Sequence, residues 1–333
     1  MNDTANHEKP SPYFHEYFLE WITLYKHGAI RSVTYQKYLM TLKNLKKIAP
    51  ELKMCDVDKR EYQKLLNKYA ETHERTTVMD FHHQLKGVIL DAVDEKLIPI
   101  DPTRRIIVKG KPPAVKKPKF LSEFELQLLL AELNLTNKYK RYTHRYKNYK
   151  SINWDWLILL LAKTGLRFAE ALGLTPSDFD FERHKIKVTK TWDYKNPEGG
   201  FAKTKNEASK RTIQIDTELS SQFLRLTEEI AADTPIFVRG RVFNSTLNDR
   251  LKSLCKKAGV PVIAVHGLRH THASLLLYAG VSISSVAKRL GHAKTTTTQE
   301  VYLHIVKELE EKDNEKVVGY LANLTNKEEG VCA

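Results

Sequence analysis

Cysteine is scarce in this chain of 333 residues: Cys55, Cys255 and Cys332 are far apart and odd in number. They fit neither a disulfide framework nor a zinc site, so a reducing cytoplasm is the expected location. No apolar run approaches the roughly 18 residues of a spanning helix. The polar N-terminus, MNDTANHEKPSP, lacks a signal-peptide core. No Asp/Glu pair or Cys/His cluster points to a metal site, and no cofactor is expected. Acids are short as well: 40 Asp and Glu stand against 54 Lys and Arg, a net charge of +14. Basic charge also serves membrane surfaces, but without a membrane segment the excess favours a polyanionic partner; it says nothing of fold.

What is present is helical periodicity, over a length sufficient for two domains. After a polar tail, residues 1–11, expected to be disordered, Phe14, Tyr17, Phe18, Trp21, Ile22 and Tyr25 form one apolar stripe, ended by Gly28. Further helices fit 34–48, 58–70 (opened by Asp58 with Glu61 three later) and about 75–96, with Pro99 and Asp101-Pro102 closing the unit. Short connections make residues 12–103 a small α bundle whose aromatics are core. Residues 104–119, RRIIVKGKPPAVKKPK, then hold seven Lys or Arg, three prolines and no acid. Like charges, Pro and Gly exclude a packed helix, which leaves an extended linker. It is a solvated hinge or a basic strap along a phosphate backbone, with Lys109, Lys111, Lys116, Lys117 and Lys119 as its cations.

From residue 120 to the end a second domain is expected. Leu121–Leu133 fits an amphipathic helix opened by Ser122 and Glu125. In 136–150, Tyr139, Tyr142, Tyr146 and Tyr149 are spaced 3, 4 and 3 among six Lys or Arg, which reads as a helix packing its tyrosines, with base stacking as the alternative. The apolar segment 151–163 is a buried helix leading to Gly165-Leu166-Arg167. Alternation over 185–191 and 210–215 predicts two antiparallel strands around a polar loop. Helices resume from Leu219, broken at Gly259-Val260-Pro261. The fold class is therefore mainly α with a small antiparallel β-sheet (α+β).

His266 and Arg269 stand three apart, so on a helix they share one face. Such a pair is usually just surface. Here, however, it is followed by Leu290-Gly291-His292 and, ten residues on, by Tyr302 in the run TTTTQEVYLH. This ordered set resembles the C-terminal signature of the tyrosine recombinases, the phage-integrase family. Thr164-Gly-Leu-Arg-Phe-Ala-Glu-Ala-Leu-Gly-Leu resembles that family's first catalytic box, with Arg167 as its arginine.

The resemblance implies a site-specific DNA recombinase that integrates or excises a phage or mobile element. Its partner is double-stranded DNA, on which it works as a homotetramer, with an accessory DNA-bending or directionality protein as a further possible partner. Arg167 and Arg269 would clamp the scissile phosphate, Tyr302 would attack it, His266 would be general base and His292 would hydrogen-bond the phosphate. Lys203, or Lys205 in a loop longer than usual, would protonate the leaving 5′-oxygen. The product would be a 3′-phosphotyrosyl link, formed without metal or ATP. Glu170, one turn beyond Arg167, could buttress its guanidinium; His270, His272 and His304 are read as structural or surface. The bundle would be the family's core-binding domain, the arm-binding module would be absent, and the apolar tail after 316 would dock in cis or in trans. A type IB topoisomerase and a catalytically silent DNA-binding regulator are the competing readings.

Overall fold

The computed structural model describes residues 11–112, 120–136, 139–141, 150–204 and 206–293, with the single residues 296, 299, 317, 318 and 321 beyond them. The chain divides into two compact units, residues 1–116 and 117–333.

The first unit is built on α1 (Phe14–Tyr25), α2 (Ser32–Ile48), α3 (Lys59–Ala70) and α4 (Arg75–Asp94). The predicted aromatic stripe is core: Phe14, Tyr17, Phe18, Trp21 and Ile22 are buried, and only Tyr25, in the last turn, is exposed. Asp58 caps α3 by accepting from the N–H groups of Arg60 and Glu61, which have no partner inside the helix. The buried phenol of Tyr62 is satisfied by Nδ1 of His82 at 2.9 Å, as a polar group in an apolar core requires.

Residues 104–112 form no helix, as expected, but this half of the segment is not a solvated hinge. The Gln63 side-chain amide pairs with both the N–H and the C=O of Ile107, each at 2.9 Å. The Lys111 N–H donates to the His73 carbonyl at 2.8 Å, and Ile106 and Val108 pack on the bundle core. Lys109 and Lys111 are exposed on this fixed strip; Lys116, Lys117 and Lys119 lie outside the described residues.

The second unit opens with α5 (Glu123–Ala131), capped reciprocally by Ser122 and Glu125. At the described ends of the stretch expected to be a tyrosine-lined helix the backbone is strand instead: β1 (Tyr139–Arg141) pairs antiparallel with β2 (Lys150–Ile152), Lys140 opposite Ser151. Residues 142–149 lie outside the described residues. Asn153 then caps α6 (Trp154–Thr164), which is buried along nearly its whole length; each of its fully buried leucines contributes about 2 kcal/mol by leaving water. A short α7 (Phe168–Leu172) follows. Next come β3 (Phe179–Asp180), β4 (Lys185–Val188), β5 (Lys190–Trp192), β6 (Phe201–Lys203) and β7 (Arg211–Gln214). Strands β3, β4 and β7 form one antiparallel sheet in that order, and β5 and β6 form a separate hairpin.

Helices α8 (Thr217–Thr227), α9 (Asn244–Lys257), α10 (Val265–Tyr278) and α11 (Ile283–Leu290) complete the described part. The expected helical run from Leu219 is interrupted over 228–243, where Ile236, Phe237 and Val238 are buried in non-helical backbone. Mainly α with small antiparallel sheets is thus the observed class, as the sequence predicted. No described helix is long and apolar enough to cross a membrane.

Candidate active site

The site is built where α6 and α11 both end. Gly165 terminates α6 in the left-handed region, φ +65°. A Cβ there would lie 2.7 Å from Cδ2 of His272 and 2.8 Å from Cδ2 of Leu290, so conformation and space both demand glycine. Two residues later Arg167 opens α7. Glu170, in the first turn of α7 and 1% exposed, accepts from the Arg167 N–H at 3.0 Å and from its Nη1 at 2.7 Å. The predicted buttress is present.

Helix α11 ends at Gly291, again left-handed with φ +69°. Three consecutive carbonyls at this end are each capped by a different arginine: Arg289 O by Nε of Arg211, Leu290 O by Nη2 of Arg269 at 2.7 Å, and Gly291 O by Nη2 of Arg167 at 3.0 Å. Arg269 also gives Nη1 to Gly165 O at 2.7 Å. The last carbonyls of a helix lack internal partners and carry its negative dipole end, so cationic donors suit both needs. A guanidinium has five N–H groups. Among the described residues, these bonds use two on Arg269, and those to Glu170 and Gly291 use two on Arg167, so three N–H on each have no hydrogen-bond partner there.

The imidazoles border the same cations. His266 sits in the first turn of α10, its ring in edge contact with His270 at 4.8 Å between centroids. The residue keeps solvent exposure, yet crowding by protein, then the charges of His270, Arg269 and Arg167, push its pKa down to about 4. His292 follows Gly291 directly, and desolvation with Arg269, Arg167 and Arg211 lowers it to about 4 as well. Both rings are neutral at pH 7. Burial first, then Arg167, lowers the pKa of Arg269 to about 9, which leaves it charged. Burial would raise the pKa of Glu170, but the hydrogen bond and charge of Arg211, with Arg167, outweigh it and hold Glu170 below the usual carboxylate range.

Arg167, His266, Arg269 and His292 are therefore brought together. Lys203 is not joined to them: it stands exposed at the end of β6, opposite Lys190 of β5, and its side chain makes no hydrogen bond or ion pair with the four. Lys190 itself is held by the Asp178 carboxylate and by Thr175 Oγ1 at 3.2 Å. Lys205, Tyr302 and His304 lie outside the described residues. Among the described residues, no group of three or more His, Cys, Asp or Glu is placed to hold a metal ion.

Sequence reading missed Arg211 and Arg289. A signal existed for the first: Arg211 shares the alternation of Ile213 and Ile215, and a charge on the inward face of a strand implies a buried partner.

A helical domain whose arginines and histidines gather at two helix ends defines an anion-handling class, and the family follows from comparison. The model of the phage integrase family matches residues 119–308, and the chain belongs to that family. It is a tyrosine-type site-specific DNA recombinase. It is 23% identical over 344 aligned residues to the integrase of Staphylococcus phage L54a, across 95% of this chain and 96% of that protein. It is 27% identical over 287 residues to a XerC-like tyrosine recombinase of Caldanaerobacter subterraneus, covering 77% and 69% of the two chains. Among solved structures, the Tn1549 transposon integrase in complex with circular intermediate DNA matches with a TM-score of 0.70 at 17% identity, over 87% of this chain and 95% of that one. A lambda integrase dimer bound to a core site gives 0.63 at 15% identity, over 87% and 77%. At such identities the structural likeness speaks to the fold.

Proposed function

We propose that this recombinase cleaves and rejoins DNA through a covalent 3′-phosphotyrosine, with Tyr302 as nucleophile and no metal or ATP, to integrate or excise a phage or other mobile element. The observation that supports it most is the pair Arg167 and Arg269, fixed on adjacent carbonyls, each with three N–H groups uncommitted among the described residues, and flanked by two neutral imidazoles. A phosphodiester resists attack because its anionic oxygens repel nucleophiles. Two planar guanidiniums bind those oxygens and gain strength as charge grows in the pentavalent transition state.

In this scheme the Tyr302 oxygen bonds to phosphorus while the bond to the 5′-oxygen breaks. Neutral His266 takes the phenolic proton, His292 donates to a phosphate oxygen, and Lys203 (or Lys205) protonates the leaving oxygen. Reversal by another 5′-hydroxyl reseals the strand, and the phosphotyrosine conserves the bond energy. The working assembly is a homotetramer on two duplexes, with the first unit as core-binding domain and the basic segment 104–119 against the backbone; an accessory DNA-bending or directionality protein can join it.

The test is a nicked suicide duplex whose cut fragment diffuses away. Wild type accumulates a protein–DNA adduct, whereas Tyr302→Phe forms none and binds the duplex equally well. An adduct with the Phe variant assigns the nucleophile elsewhere; no adduct with wild type leaves a silent DNA-binding regulator; relaxation of supercoils without strand exchange indicates a topoisomerase.

A further inference from the structure

Arg211 differs from the two phosphate-facing arginines in how its donors are used. Its side chain is 5% exposed. Nε donates to Arg289 O, Nη1 to Ser209 O at 2.9 Å and to Glu170 Oε1 at 3.3 Å, and Nη2 to Glu170 Oε2 at 2.9 Å. Four of its five N–H groups are committed inside the protein, so it has almost nothing to offer a ligand. Its three partners are informative. Glu170 holds Arg167. Arg289 O belongs to the helix end that carries His292. Ser209 closes the turn that follows the hairpin bearing Lys203, and that turn lies tight against α11: a Cβ on Gly291 would sit 2.9 Å from Arg211 Nη1 and 3.0 Å from Ala208 O.

We propose that Arg211 is a positioning residue that registers Arg167, the His292 turn and the return from the lysine hairpin against one another, without touching DNA. The fork shape matters: one planar group spans a carboxylate and two carbonyls on three separate segments, which an ammonium cannot do. Losing it leaves the buried Glu170 with one cationic partner and lets Arg167 leave its phosphate-binding pose. Misplacement of about 1 Å is enough to cost a hundredfold in rate.

The inference rests on the reading of Arg167 as a phosphate binder, so the experiment carries both. Single-turnover cleavage is measured at saturating DNA on nicked duplexes with an ordinary scissile phosphate or a methylphosphonate. In the latter a neutral methyl replaces one charged oxygen, so the charge Arg167 serves is gone. Arg211→Met is expected to bind duplex within about twofold of wild type and to lose about 10²-fold in cleavage of the phosphate, but far less, relative to wild type, on the methylphosphonate. Arg211→Lys keeps the buried charge without the fork; it shows the same substrate pattern with a smaller loss and serves if the Met variant does not fold. Arg167→Ala is the reference and should show the same relief. If it shows none, the reading of Arg167 falls, and the role of Arg211 through it falls too. If Arg167→Ala is relieved but the Arg211 losses are equal on both substrates, Arg211 is merely structural. Unimpaired cleavage overturns the inference, and a tenfold loss of duplex affinity places Arg211 on DNA instead.

Discussion

Nε of Arg289 donates to Nε2 of His272 at 3.0 Å. That bond makes Nε2 an acceptor, so Nδ1 carries the proton and donates to Ala162 O, also at 3.0 Å. His272 is thus a neutral strut joining α6, α10 and α11 beside Gly165, whose carbonyl anchors Arg269. Burial, then the charge of Arg289, pushes its pKa down to about 3. An unfolded histidine takes up a proton near 6.5. Below that pH the unfolded chain binds the proton and the folded one does not, so stability falls from pH 6.5 towards 3 and is untouched above 6.5. A glutamine can keep both hydrogen bonds without titrating. Denaturant melts at pH 7.5, 6, 5 and 4.5 should therefore show a shallower acid loss for His272→Gln, the difference approaching about 1.4 kcal/mol per pH unit. Equal slopes would mean that the folded ring already carries a proton at these pH values.

Two left-handed glycines offer a matched comparison. Gly165 and Gly280 have φ of +65° and +83°, but only Gly165 faces close neighbours; around a Cβ on Gly280 nothing lies within 4 Å. Gly280→Ala should cost about 1 kcal/mol, the backbone penalty alone. Gly165→Ala must also push back His272 and Leu290 and should cost about 2 to 3 kcal/mol more. It should abolish cleavage as well, because Arg269 is anchored on this residue's carbonyl. The midpoints of denaturant unfolding decide; equal shifts would remove any special closeness at this junction.

Lys203→Ala should slow cleavage at an ordinary 5′-oxygen yet recover when sulfur replaces that oxygen, because a thiolate leaves without protonation. Rescue seen for Lys205→Ala and not for Lys203→Ala moves the general acid two residues along. Rescue of neither variant takes the role away from this loop.

Replacing Lys116, Lys117 and Lys119 by Gln should weaken binding on every duplex alike. Each phosphate contact contributes about 0.9 to the slope of log K against log salt, so the slope should flatten by about two to three units. Site preference should hardly change, since phosphate contacts do not read bases. A salt titration on specific and random duplexes checks this: an unchanged slope leaves no contact, and a loss confined to the specific site makes the lysines sequence readers.

How much was legible in the sequence follows from how local each signal was. Helices α1 to α4 were readable because their apolar period and their punctuation by Gly28, Asp58 and Pro99 lie in or beside the segments themselves. The pairing of β1 with β2 was not, because strand pairing is a contact between segments that periodicity cannot show. Glu170 announced itself by lying one turn from Arg167. Arg211 and Arg289 find their partners 41 and 17 residues away, across a fold that had first to be formed. Over 104–112 composition showed the exposed charges and the lack of helix, but not that Ile106 and Val108 hold the segment on the bundle core.

The convergence of Arg167, Arg211 and Arg269 around the buried carboxylate of Glu170 has a thermodynamic side. Like charges gathered at such close quarters oppose the folded state whenever no polyanion is there to balance them. Binding reverses that self-repulsion, and by linkage a ligand held only by the native form adds about 2.7 kcal/mol of stability at a hundred times its dissociation constant. Affinity for DNA and resistance to unfolding are then one quantity viewed from two ends. Off its target this recombinase is then the more perishable molecule, and arriving there steadies its fold.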